Sequence, residues 1–140
     1  MLSKTSTHAA KALILLARLP EGAYAGAAAL AEEISAPRNY LGKMLQTLAR
    51  SGLLVSQKGL NGGFRLARPA KKITLFDIVE PFDHVSHWSG CLLSRKACSL
   101  DSPCAAHSRW GPVRDSYLEF LHGVTLEDLA QPQGKPSRRR

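Results

Sequence analysis

Three consecutive helical apolar patterns, a glycine-rich basic hairpin pattern directly after them, and an excess of positive charge confined to the same half predict a mainly α fold of the winged helix-turn-helix class. Residues 1–75 carry eleven Lys and Arg against three acids, whereas residues 76–140 carry eight of each. The whole formal charge of +8 therefore lies in the first half. Such an asymmetry predicts that this half faces a polyanion, and with the helix order it points to double-stranded DNA.

The first helix shows Ala10, Leu13, Ile14 and Ala17 at helical spacing, after Ser and Thr caps and before Pro20-Glu21-Gly22. Residues 27–34 give a short, Ala-rich second helix. Ser35-Ala36-Pro37 combines a capping residue with a proline suited to a first helical turn. The third helix sets Leu41, Met44, Leu45 and Leu48 on one face, with Arg38, Asn39, Lys43 and Gln46 elsewhere, and ends at Ser51-Gly52. Residues 53–57 then read as a strand and Phe64-Arg65-Leu66 as its half-buried partner. Lys58-Gly59-Leu60-Asn61-Gly62-Gly63 joins them, and Asn-Gly between extended runs is a strong hairpin signal. In a fold of this order the third helix enters the major groove and the hairpin, or wing, follows the backbone or minor groove. The expected base readers are Arg38, Asn39 and Tyr40, with Lys43 on the backbone. In the wing, Lys58 and Asn61 are the polar candidates, and Gly59, Gly62 and Gly63 permit close approach to phosphate.

Thr74 caps a fourth helix carrying Leu75, Ile78, Val79 and Phe82, which closes a DNA-binding domain at residues 1–82. From 83 to 104 the pattern dissolves into Ser, Gly, His and Cys, and a loop of that length needs a bound group to order it. Trp110, Val113, Tyr117, Phe120 and Leu121 follow as an aromatic-rich helical stripe, which Gly111-Pro112 is expected to kink or restart. Residues 125–129 resemble a capping box, so residues 108–130 hold a long helix and a last short one. The polar, basic tail at 131–140 has the composition of a disordered segment. No internal repeat is evident. No long apolar run and no signal-peptide pattern is seen, which predicts a cytoplasmic protein with no membrane span.

All three cysteines fall in the irregular stretch, as Cys91-x6-Cys98-x5-Cys104, with His107 three residues further on. In a reducing compartment such a cluster points to metal or redox chemistry rather than to a disulfide framework. Structural zinc sites favour paired cysteines two to four residues apart, which this spacing fits poorly. An iron-sulfur cluster spreads its ligands more widely and fits better, while a zinc or thiol-disulfide switch is the alternative. His107 is the nearest candidate for a fourth ligand, with His84, His87 and the remote His8 as competitors. No phosphate loop, substrate motif or acid/base pair accompanies the cysteines, so no enzyme activity is expected.

Four segments, 40–48, 52–56, 62–69 and 73–79, together resemble the Rrf2 family of bacterial transcription regulators, whose members include the iron-sulfur-assembly repressor IscR and the nitric-oxide-sensitive repressor NsrR. The hairpin run Gly62-Gly63-Phe64-Arg65-Leu66 is the most specific of them, and the resemblance extends to about Leu129. It implies a homodimer with two winged helices and a C-terminal dimerisation helix, whose interface would hold Trp110, Val113, Tyr117, Phe120 and Leu121. It also implies a repressor whose operator affinity follows the state of an iron-sulfur cluster, sensing nitric oxide, redox state or iron. A 2Fe-2S cluster on Cys91, Cys98, Cys104 and His107 is the first expectation, and a 4Fe-4S cluster with His8 of the partner subunit is the second. Oxygen would strip either cluster from exposed material. The six-residue gap after Cys91 is one longer than the common family spacing.

Overall fold

A computed structural model describes residues 2–89 and 107–132. The expected ligands Cys91, Cys98 and Cys104 lie outside the described residues, as does the tail beyond Pro132. The helices are α1 (Lys4–Ala17), α2 (Ala27–Ile34), α3 (Arg38–Arg50), α4 (Leu75–Asp83), α5 (His107–Gly123) and α6 (Leu126–Ala130). Strands β1 (Leu54–Gln57) and β2 (Gly63–Leu66) form the wing after α3, and short 3-10 turns cover Ala70–Lys72 and Val85–Ser89. This is the mainly helical, winged arrangement that the sequence predicts.

Ser3 caps α1 by accepting the Ser6 amide at 3.1 Å, and Ala9, Ala12, Leu13 and Leu16 then fall on one buried face. The turn between α2 and α3 differs from expectation. Ser35 does not cap α3; it ends α2 in the left-handed region at φ 55, and the Ala36 amide reaches back to the Ala31 carbonyl at 2.9 Å. With only three residues between the helices, the reversal belongs to the end of α2. Pro37 is then the N-cap of α3, with no side-chain cap.

The wing pairs Leu54 with Leu66 and Gln57 with Gly63, which leaves a five-residue tip at 58–62. The tip is not a two-residue Asn-Gly turn: the positive φ values fall at Gly59 and Gly63, and the Gly62 amide donates to the Gly59 carbonyl at 3.1 Å. A third segment joins the sheet through Ala25, which exchanges bonds of 2.8 and 3.0 Å with Phe64. Phe64 is buried by this contact, so the wing is fastened to the helices at its base.

One core unites α1, α2, α3, the strands and α6 through Leu13, Leu41, Leu45, Leu48, Ile73 and Leu126. A second cluster of Leu75, Val79, Val85 and Leu121 packs α5 on α4. Although no repeat is evident along the chain, the fold pairs two short equivalent motifs, Ile73-Thr74-Leu75-Phe76-Asp77-Ile78 and Val124-Thr125-Leu126-Glu127-Asp128-Leu129. Each threonine and aspartate forms a capping box, starting α4 and α6. The two lie antiparallel: the Leu75 amide donates to the Val124 carbonyl and the Leu126 amide to the Ile73 carbonyl, both at 2.8 Å.

Helix α5 runs unbroken from His107, without a restart at Gly111-Pro112. Pro112 is near the helix start, and the carbonyl it leaves without an amide partner belongs to Ser108, an exposed residue that water reaches.

Candidate nucleic-acid interface

Helix α3 divides cleanly. Leu41, Met44, Leu45 and Leu48 are buried, and the opposite face presents Arg38, Asn39, Lys43, Gln46 and Arg50. With Ala27 of α2 and Phe64 of β2, these residues line a shallow groove of about 580 Å³. Three cations and two amides line the groove and no carboxylate does, which suits phosphate oxygens and base edges. Because Pro37 supplies no side-chain acceptor, the first-turn amides and the positive end of the α3 dipole also remain to attract an anion.

Of the expected α3 contacts, Arg38, Asn39 and Lys43 meet at this groove, and Tyr40 does not. The Tyr40 hydroxyl donates to Thr5 Oγ1 at 2.9 Å, and its ring meets His8 edge-on at 5.7 Å. Tyr40 thus anchors α3 to α1 and lies outside the groove. Its spacing carries that signal, since positions 40, 44 and 48 lie along one helical row with two buried residues. Gln46 and Arg50 are the additions, and they follow from the row 39, 43, 46 and 50 on the exposed face.

At the wing, Lys58, Leu60 and Asn61 are exposed. Gly62 and Gly63 have reasons within the chain to be glycine. A Cβ on Gly62 would lie 2.1 Å from the Gln57 carbonyl oxygen, and one on Gly63, at φ +137, would lie 2.4 Å from that of Ala25. Arg65 sits over the ring of Tyr24 at 5.2 Å, which holds its guanidinium on the outer side of β2.

A second constellation surrounds the exit from α4. The Ser3 amide donates to Asp83 Oδ2 at 3.0 Å, and the Ser3 hydroxyl donates to Oδ1. Burial pushes the Asp83 carboxyl upward, but these bonds outweigh it and hold it below its ordinary value of 3.8. His84 follows in the left-handed region at φ 48 and stacks with His87 at 5.8 Å, where the chain leaves toward residue 90. Asp83 and burial together raise the Tyr117 hydroxyl, burial being the larger cause. His107 is the first residue of α5. On α1, His8 Nδ1 is buried with no hydrogen-bond partner among the described residues.

The outer side of α5 exposes Val113 (60%) and Phe120 (44%), which with Pro112, Ser116 and Tyr117 line an open apolar groove of about 530 Å³. Leu121, expected at the same surface, is instead 0% exposed and belongs to the protomer's own second core. The reason is angular: Leu121 follows Phe120 by about 100° around the helix, which turns it onto Val79 and Val85. Among the described residues no group of three potential metal ligands converges, and no helix is long and apolar enough to cross a membrane.

The sequence model of the Rrf2 family, described as an iron-dependent transcriptional regulator, matches residues 2–132. A protein of Aquifex aeolicus (strain VF5) assigned as an HTH-type transcriptional regulator is 37% identical over 101 residues, covering 71% of this chain and 70% of its own length. Among solved structures, CymR (YrzC), the global cysteine regulator of B. subtilis, superposes with a TM-score of 0.76 at 25% identity, covering 93% of this chain and 95% of that one. T. potens IscR has the same fold, with a TM-score of 0.73 at 23% identity and coverage of 96% and 93%.

Proposed function

Because the chain belongs to the Rrf2 family of transcriptional regulators, we propose that it is a homodimeric repressor whose operator affinity is set by an iron-sulfur cluster. The observation that carries the DNA-binding part is the groove on α3, where Arg38, Asn39, Lys43, Gln46 and Arg50 converge beside the wing. Two copies of this surface, joined along the outer face of α5 through Val113, Tyr117 and Phe120, would read two half-sites.

The cluster part rests on the donor set and on the iron dependence given for the family. Three thiolates and an imidazole, from Cys91, Cys98, Cys104 and His107, are ligands that suit a 2Fe-2S cluster. Such a group supplies electron-transfer chemistry and reactivity toward nitric oxide and oxygen. His107 is the histidine nearest the three thiols in the sequence, three residues after Cys104, which makes it the first candidate for the imidazole. The joint between cluster and reading head would be α1, which Ser3 ties to Asp83 and Thr5 ties to Tyr40.

Anaerobic purification tests this reading. Brown protein with iron and sulfide is expected, whereas colourless protein with stoichiometric zinc would leave the zinc switch in its place. His107→Ala should alter the visible spectrum and His8→Ala should not; the reverse result would move the fourth ligand to α1. For DNA, Arg38→Ala or Asn39→Ala should relax sequence preference, while Tyr40→Phe should preserve it. Equal losses on specific and random duplexes from all three would contradict the assignment of the readers.

A further inference from the structure

The tip of the wing carries a side chain that the protein itself does not use. Beyond the Gln57–Gly63 pair the chain leaves the sheet as Lys58-Gly59-Leu60-Asn61-Gly62, and Leu60 there is 102% exposed. Among the described residues the other exposed large apolar side chains, Val55, Val113 and Phe120, lie on a strand or a helix. A tight solvated turn is normally built from Gly, Asn, Asp or Ser, so a bare leucine at its apex gains nothing from the fold. Its surroundings are those of a nucleic-acid contact. Lys58 and Asn61 flank it, and Gly59, at φ +113 with open space around an added Cβ, keeps the backbone slim. Phe64, at the base of the same wing, lines the α3 groove, so a duplex seated on α3 meets the wing tip at its flank.

We propose that Leu60 is a specificity-determining residue that the wing inserts into the minor groove beside the recognition helix, where it selects A·T pairs against G·C. The proposal rests on the DNA-binding reading above. The floor of the minor groove shows only acceptors at A·T pairs, whereas G·C adds the protruding guanine 2-amino group. Leucine methyls pressed onto that floor exclude water and offer no acceptor. A covered guanine amino group would both clash and lose its hydrogen bond, and a buried orphan donor costs more than an under-used acceptor. Proteins that bind the minor groove frequently insert apolar side chains, leucine among them, between its base steps.

The test uses the full chain, purified anaerobically, and duplexes that the wild type selects from a random pool. Flanking A·T pairs are replaced one at a time by G·C or by inosine·C, which keeps the guanine major-groove edge but lacks the 2-amino group. The wild type should lose about tenfold in affinity on G·C and recover on inosine·C. Leu60→Ala should bind all three flanks alike, with unchanged thermal stability and an unchanged salt slope, because Leu60 is uncharged and makes no burying contact. Lys58→Ala should keep the preference and reduce the slope by about one. Full discrimination by Leu60→Ala, or inosine·C behaving like G·C, overturns the proposal. Failure of the wild type to bind any duplex overturns the DNA-binding reading instead.

Discussion

Asp83 shows how one residue can join two distant helix ends. It is the last residue of α4, and it receives both the amide and the hydroxyl of Ser3, which is itself the cap of α1. Its carboxyl is held below 3.8, so the stabilisation is complete above that value and is lost as pH falls through the lower folded value. Asp83→Ala is expected to cost about 1 kcal/mol at neutral pH, a modest figure because solvent screens the site. Thermal melts of variant and wild type should converge in strong acid, and an equal gap at every pH would show that the carboxylate charge is not involved. Tyr40 makes the same point about direction. A polar aromatic residue at the start of a recognition helix invites assignment to DNA, yet its hydroxyl is spent on Thr5. Composition could not separate these roles, because a tyrosine serves either equally well; its place in the row with Met44 and Leu48 could.

At the scale of elements, glycine placement distinguishes turn chemistry from ligand chemistry. Gly63 stands at φ +137 with the Ala25 backbone against the position of a Cβ, because Phe64 must pair with Ala25 at that point. Gly63→Ala should therefore destabilise the domain by about 1–3 kcal/mol through backbone strain. Denaturant unfolding measures this without DNA, and an unchanged midpoint would mean that the glycine is kept for phosphate instead. The element boundaries of α2, α3 and the wing were legible because apolar spacing and breakers agree there. The caps of α4 and α6 were legible one by one, but their pairing was not, since each is complete locally. Only the return of the chain, which sets Thr74 opposite Thr125, makes them one structure.

At the scale of the whole molecule, α5 is a helix with two unequal apolar sides. Leu121 closes the second core, whereas Val113 and Phe120 face outward over an apolar groove. The two sides predict different failures. Leu121→Ala should cost about 2–5 kcal/mol of protomer stability. Phe120→Glu should leave the helical spectrum intact and shift the sedimenting species from dimer to monomer. A Phe120→Glu protein that still sediments as a dimer would move the subunit interface elsewhere.

By itself, the sequence determined the order of helices and wing, the charge that marks one half for a polyanion, and the family, because each is written in local spacing or composition. It also placed all three cysteines within one fourteen-residue stretch. Tertiary structure decided which of two adjacent side chains faces inward and which outward, at Phe120 against Leu121. It decided too that the start of α1 serves both the end of α4 and the start of α3. Neighbours in sequence differ by about 100° around a helix, so their fates depend on what packs there, and that is set by segments far away along the chain.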